Sequence, residues 1–440
     1  MFKTFVNAFK VKEVRKKLFY TFLMLVVIRI GSQLPIPGVN RDYFSNWFNS
    51  QTGDAFSFFD AFTGGSFTNM SIFALNITPY ITSSIIMQLL TIAIPKLEEM
   101  NKEEDGRKKI ASITRYVTVA LALIESAAMA IGFGNQGLLD QANYNAINII
   151  TIIAALTAGS AFLMWIGEQI TEKGVGNGIS IVLIINIISR MPSDFHTLFN
   201  SFVASADNVG KAVVAAAIIV IIVTGTVVLV VKLNGGIRKI PVQYAKKVQG
   251  NRMMGGNNSH IPLRVNTAGV IPIIFASSLM QFPVVICSLF KIDQGTGVGS
   301  KILKGLQSSN WFNPEEMEYT IGCLVYVVLV VFFAYFYTSI TFNPMLISDN
   351  MKKSGGFIPG IRPGKPTTEY LTTVLDYIIF MGAVGLIIVA LIPIVGSGVF
   401  GANVSFGGTS LIIIVSVVLE TMKQIEAMML ERNYKGFLNS

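Results

Sequence analysis

Charge is scarce in this sequence. Only 13% of its 440 residues are Asp, Glu, Lys or Arg, against about a quarter in soluble domains. No soluble fold needs so much apolar sequence with so few charges. Histidine is nearly absent: the chain has His196 and His260. Cysteine is as rare. Cys287 and Cys323 stand in apolar blocks, with no CxxC spacing and no histidine nearby. This argues against a disulfide framework or a metal site, and both read as small buried hydrophobes.

Signatures of catalysis and energy coupling are missing too. Gly360-Ile361-Arg362-Pro363-Gly364-Lys365-Pro366 has one residue too few between its glycines for a phosphate loop. Pro366 also stands where a metal-binding Ser or Thr is needed. Gly408-Thr409-Ser410 suggests an intramembrane serine protease only if a histidine reaches the serine at membrane depth. Both histidines are assigned to loops, His196 outside and His260 inside, and each reads as a solvated residue. Ion-coupled transport needs ionisable groups within the spans. Arg29, Glu125, Asp376 and Glu420 are scattered, and no span carries two carboxylates on one face. Snorkelling or pairing inside the bundle accounts for them. The sequence predicts no enzyme and no cofactor or metal.

What the chain has is apolar length. It is 52% hydrophobic, and Val213 to Val231 runs without a charge. A membrane span needs roughly 20 mostly apolar residues. Ten spans are expected, at 18–38, 72–94, 112–133, 146–166, 177–192, 212–232, 266–290, 319–342, 371–393 and 409–429. The first is read as a permanent span. It contains Arg29, ends in Pro35-Ile36-Pro37-Gly38 and lacks a small-residue cleavage site after a short apolar core.

The sparse charge is unevenly placed. With the N-terminus inside, 27 of the 34 Lys and Arg fall in inside loops, tails or the adjoining span ends and 6 on the outside in the same sense, Arg29 lying within a span. That asymmetry predicts both termini in the cytoplasm. Two inside loops are long: 233–265, with six basic residues and no acid, and 343–370, with Lys352, Lys353, Arg362 and Lys365. Such loops can enforce topology, touch anionic lipid, or dock an acidic or RNA-bearing partner. The outside segment Ala55 to Asn69 is aromatic, has one acid and is too short to span. It is either an interfacial anchor or a short helix packed back into the protein.

Two spans carry polar stripes. In the second, Asn76, Tyr80, Ser84 and Gln88 recur every four residues beside Ile77, Ile81 and Ile85. In the seventh, Asn266, Ser277 and Gln281 lie roughly on one side and Ile274 faces elsewhere. Polar stripes in lipid must face protein or water. They serve ordinary helix packing, or mark two helices that part.

Several motifs resemble those of the SecY family of bacterial protein-translocation channels. They are Tyr80-Ile81-Thr82-Ser83-Ser84-Ile85-Ile86-Met87-Gln88-Leu89-Leu90, the run Gly167 to Ser180 (GEQITEKGVGNGIS), and Asn266-Thr267-Ala268-Gly269-Val270-Ile271-Pro272. The run Lys352 to Gly364 (KKSGGFIPGIRPG) and Phe406-Gly407-Gly408-Thr409-Ser410 follow in order. The resemblance implies an all-α polytopic fold of ten helices in two pseudo-symmetric halves, 1–210 and 211–440, around an hourglass pore. It implies a six-residue apolar ring of Ile77, Ile81, Ile179, Leu183, Ile274 and Ile413, with Leu183 where isoleucine is common. Ile77/Ile81 and Ile179/Leu183 are i, i+4 pairs, each presenting one helical face. An apolar constriction blocks ions by dewetting and makes no directional bonds to a passing chain.

By the same resemblance residues 55–69 are a plug, with Phe58, Phe59 and Phe62 covering the waist and Gly64-Gly65 giving freedom to leave. Ser84, Gln88 and Asn266 belong to a lateral gate, with Gln88 and Asn266 as bridging groups. Arg362, then Arg252 and Lys247, are contacts for the motor ATPase SecA or a ribosome. SecE and SecG are implied as small partner subunits, preprotein signal sequences as cargo, and the bacterial inner membrane as location. The competing reading is a secondary transporter for a small solute, which needs a polar midplane site. A specialised second copy of the channel is a third.

Overall fold

A computed structural model describes residues 9–438, apart from 40, 42–43, 47–59, 61–62, 136–144, 205–208, 245–246, 250–251, 255–257, 291–297, 313–315 and 401–407. The first part of the chain holds α1 (Lys12–Gly31), α2 (Thr78–Ala93), α3 (Pro95–Lys102), α4 (Glu104–Asn135), α5 (Ala146–Lys173) and α6 (Gly178–Leu198). The second part holds α7 (Val209–Gly235), α8 (Ile271–Phe290), α9 (Val298–Leu306), α10 (Ile321–Thr341), α11 (Pro344–Lys353), α12 (Lys365–Phe400) and α13 (Gly408–Leu438). Each of the ten expected spans overlaps one of these helices. By length and composition, six helical stretches among the described residues are fit to cross a membrane, and a seventh if α2 and α3 count as one bent span. The chain is a multi-pass membrane protein.

Two expected spans begin later than the apolar run does. α2 starts at Thr78 rather than at 72, because residues 64–77 form turns in which Met70 (φ +43°) and Asn76 (φ +51°) are left-handed. Pro79 then sits in the first helical turn, where its missing N–H costs nothing. α8 starts at Ile271 rather than 266. At its far end α2 stops before Pro95, with Ile94 extended, and α3 departs at 104°. A residue before proline disfavours the helical region, so the break follows from the sequence.

Irregular backbone at membrane depth is tolerated only where protein covers it. That condition holds for the turns ahead of α2: Phe67, Met70, Phe73, Ala74, Leu75 and Ile77 are all buried. Their backbone is stapled to the segment after α1, with Ile36 N–H donating to Met70 O (3.0 Å) and Ile72 N–H to Leu34 O (3.0 Å). Phe44, Phe67 and Phe133 meet edge-on, with centroids 5.1 to 6.1 Å apart. They centre a core that also takes in Met129, Ile152 and Leu156. A second core, built wholly from residues beyond 225, joins α7, α8, α10, α12 and α13 through Val230, Ile273, Met280, Tyr326, Leu386 and Ile412. A third cluster draws on both parts of the chain.

The long basic loops are not irregular. β1 (Ile237–Tyr244) pairs antiparallel with β4 (Asn258–Arg264), Ile240 opposite Ile261. Between them β2 (Lys247–Gln249) and β3 (Arg252–Met254) form a small hairpin. β5 (Gly356–Phe357), from the other long loop, joins the free edge of β1, pairing Gln243 with Phe357. Ile240, Val242 and Leu263 bury one face of the sheet on Met351, Ile358, Leu371, Val374 and Ile378.

Candidate functional site: an apolar waist, a docked turn and a basic platform

The waist begins with the connection between α5 and α6. Asn177 caps α6, its Oδ1 accepting from Ser180 N–H (3.3 Å). Thr171 Oγ1 accepts from Gly178 N–H (2.9 Å), and Thr21 Oγ1 of α1 accepts from Val175 N–H (3.1 Å). Gly167 and Gly178 let the two helices touch backbone to backbone. A side chain at Gly167 would also put its Cβ 2.8 Å from Ile179 Cδ1. The glycine-rich connection therefore fixes where Ile179 points.

All six expected ring residues fall in one apolar cluster. Ile77, Leu183 and Ile413 are buried within it, and Ile81, Ile179 and Ile274 are partly buried against it. They come from the turn before α2, from α2 itself, and from α6, α8 and α13. Ile77 lies one residue ahead of α2, yet its carbonyl still accepts from Tyr80 and Ile81 N–H (both 3.1 Å). The i, i+4 relation of Ile77 and Ile81 thus survives the late helix start. Ile28, Phe73, Ile166 and Val182 thicken the cluster.

Asn76 does not continue a polar stripe along α2. Its Oδ1 accepts from Asn186 Nδ2 (3.0 Å) and its backbone carbonyl from Ser160 Oγ (3.0 Å). It ties the start of α2 to α5 and α6 from a buried position. Of the three gate candidates, Gln88 is exposed and Ser84 half-buried. Asn266 is buried and donates to Asn234 Oδ1 (2.8 Å), and Asn234 donates to Ser416 Oγ (2.8 Å). That chain links the approach to α8 with α7 and α13, all within residues beyond 230. It does not join Asn266 to Gln88. Among the described residues α8 packs on α4 of the first part of the chain.

Phe58, Phe59 and Phe62 lie outside the described residues. Gly64 and Gly65 are left-handed, with φ of +64° and +84°. A Cβ on Gly64 would stand 2.5 Å from the Asn186 carbonyl oxygen and 2.7 Å from Ser189 Oγ. These glycines allow a tight turn pressed on α6, a role distinct from the looseness expected of them. Asp60, wholly buried, faces Arg190 of α6, its Oδ2 2.5 Å from Nη1. Its Oδ1 accepts from Thr68 N–H (3.0 Å). The sequence marked Asp60 only as the acid of an aromatic stretch and gave no sign of its partner.

The platform is the sheet. Arg362 is exposed just beyond β5, its carbonyl accepting from Thr367 Oγ1 (2.8 Å). Lys247 and Arg252 lie on the β2–β3 hairpin, their side chains outside the described set. The β1–β5 pairing joins the two basic loops, read separately from the sequence, into one surface. Both histidines are exposed as expected but sit in regular elements, His196 in α6 and His260 in β4.

A family model described as SecY matches residues 71–422. The chain is 42% identical over 447 residues to the protein translocase subunit SecY of Halalkalibacterium halodurans, covering 100% of both. It is 41% identical over 448 residues to that of Bacillus subtilis, again covering 100% of both. Among solved structures it resembles a protein-conducting channel (TM-score 0.63, 17% identity, covering 94% of this chain and 92% of that one). It also resembles Sec61 in a canine ribosome–channel complex (TM-score 0.60, 17% identity, covering 94% and 92%).

Proposed function

The chain belongs to the SecY family, and from that premise we propose how its residues do the family's work. It is a channel subunit of the protein translocase and not itself an enzyme. We read it as ten crossings in two five-helix halves, 1–210 and 211–440, with an hourglass pore between them. Both termini face the cytoplasm of a bacterial cell. What supports the halves is the division of the packing: one core within residues 36–156, another beyond 225, and a cluster joining them at the waist.

The pore ring is Ile77, Ile81, Ile179, Leu183, Ile274 and Ile413. The observation behind it is that side chains predicted over some 340 residues of sequence converge in one apolar cluster. Such a ring holds back ions by excluding water. It yields to any side chain because it offers none a hydrogen bond. A solute transporter would need polar groups at this depth, and that reading is not favoured by the translocase relatives.

The segment from 55 to 69 is the plug, and its Asp60 and Gly64 meet α6. The lateral gate runs between α2 with α4 on one side and α8 on the other. Ser84 and Gln88 line it, and Asn266 steadies α8 from within the second half. SecE and SecG are the companion subunits, and signal sequences enter through the gate. The β4-β1-β5 platform with Arg362, Arg252 and Lys247 receives a motor ATPase such as SecA, or a ribosome. Its uncovered basic loops also lie within reach of anionic lipid. Energy for movement comes from these partners.

Replacing Ile81 and Ile274 by serine tests the ring. The reconstituted complex should leak ions at rest and accept preproteins with weak signal sequences. If neither changes, the ring assignment is wrong.

A further inference from the structure

The segment that closes the channel is held by something, and its hydrophobic side chains are not the only candidates. Asp60 has no exposed surface. A buried carboxylate without a partner is strongly disfavoured, so whatever faces it governs whether residues around it stay in place. Arg190 faces it from α6 at 2.5 Å. On its other side Arg190 lies 3.9 Å from Asp194, one helical turn further along α6. The guanidinium is thus held between an acid of its own helix and an acid of the docked segment.

The neighbouring contacts bind the same turn to the same place. Ser189 Oγ donates to the Gly64 carbonyl (3.4 Å), as does Arg29 Nη1 of α1 (3.5 Å). Gly64 is pressed on the Asn186 backbone. Farther on the chain is fixed differently, by the backbone bonds around Met70 and Ile72 and by Arg41, whose Nη2 donates to Asn69 Oδ1 (2.8 Å). Residues 66–77 are therefore part of the framework, whereas Asp60 and Gly64 are held to α6 by the side chains of Arg190 and Ser189. α6 also carries Ile179 and Leu183, so the attachment and the ring share one helix.

We propose that Arg190 is a positioning residue for the closed state: its pairing with Asp60 latches the plug turn to the ring helix, and Asp194 holds the guanidinium ready to receive it again. The inference rests on reading residues 55–69 as the plug. Opening separates the Asp60 carboxylate from Arg190, and water or the passing chain must then solvate it. Arg190 keeps Asp194 as a counter-ion in either state. The closed state is favoured by the pairing, and the open state does not strand a cation.

The latch predicts an order among variants. Arg190→Gln leaves Asp60 buried without its cation, so it should favour opening most. Asp60→Asn leaves Arg190 beside Asp194 and should do so less. Arg190→Lys keeps the charge and should stay near wild type. Asp60→Arg combined with Arg190→Asp restores an opposite-charge pair and should recover part of the loss. The readout is resting ion conductance of the complete reconstituted complex, with a variant lacking residues 55–65 measured alongside. We expect conductance to rise roughly tenfold or more for Arg190→Gln, since removing its cation leaves the buried Asp60 carboxylate unpaired.

A leaky deletion with a tight Arg190→Gln and a tight Asp60→Asn overturns the latch and leaves the plug reading standing. A tight deletion overturns both. Equal leaks in Arg190→Gln and Arg190→Lys also overturn the latch, because a packing defect would not distinguish charge. Should Arg190→Gln fail to assemble, Asp60→Asn and the charge exchange decide the matter by the same measurement.

Discussion

Replacing Asn76 by alanine removes two things at once, and a glycine at the same position removes only one. Asn76 is 1% exposed and has φ +51°. A left-handed conformation costs an ordinary L-residue about 1–2 kcal/mol, and asparagine and glycine far less. Its Oδ1 also accepts the Asn186 amide at 3.0 Å. Leaving a buried donor unpaired costs about 1–3 kcal/mol, and hydrogen bonds between membrane helices sit at the low end of that range. Asn76→Ala should therefore lose about 2–4 kcal/mol, and Asn76→Gly about 1–2 kcal/mol. Thermal unfolding of the purified complex should rank them wild type, glycine, alanine. Resting conductance should follow the same order, because Asn76 sets the position of Ile77, whose carbonyl begins α2. Equal losses for alanine and glycine would refute the backbone argument. Two wild-type melts would refute the claim that this pair fastens α2 to α6.

Two further predictions concern polar groups. Asn266→Ala and Ser416→Ala each break one link of the Asn266–Asn234–Ser416 chain. A double-mutant cycle on gate opening should show coupling of about 0.5–1 kcal/mol, and strict additivity would show that the chain does not act as a unit. Arg362→Glu should weaken binding of the motor or ribosome by about tenfold at low salt, and less at high salt, as expected for an exposed charge. An effect independent of salt would point to a packing role instead.

Hydropathy located the helices because a lipid-facing run must be long and apolar whatever its detailed path. It could not place the starts of α2 and α8. Ahead of α8 the left-handed residue is Gly269 (φ +66°). The residues ahead of α2 are as apolar as the helix, and what precedes its start is a left-handed φ at Asn76, invisible to a hydropathy average. The stripe drawn through Asn76 failed for that reason. Proline was legible: Pro95 ends α2 where the apolar run ends. The sheet left a weak trace in Ile240-Pro241-Val242, whose alternation matches its one buried face. The β1–β5 pairing left none, since it joins segments more than 100 residues apart.

Of the site, the residues that meet in the apolar cluster were named through resemblance and regular spacing. The Asp60–Arg190 pair was not. It unites an acid in a short outside segment with a cation at the end of a span, and nothing local in either stretch names the other. Gln88 and Asn266 were joined by the polar stripes and the resemblance. Asn266 in fact serves the second half, because Asn234 is nearer in the fold and equally able to accept.

A polypeptide in transit through this pore must touch the apolar cluster around Ile179. Place a photoreactive residue there, stall a preprotein part-way, and irradiate. A second probe at Ile150, 65% exposed on α5, gives the background. An adduct should form at 179 only when the stalled chain is present, and none at 150. No adduct at 179, with translocation otherwise intact, would contradict it.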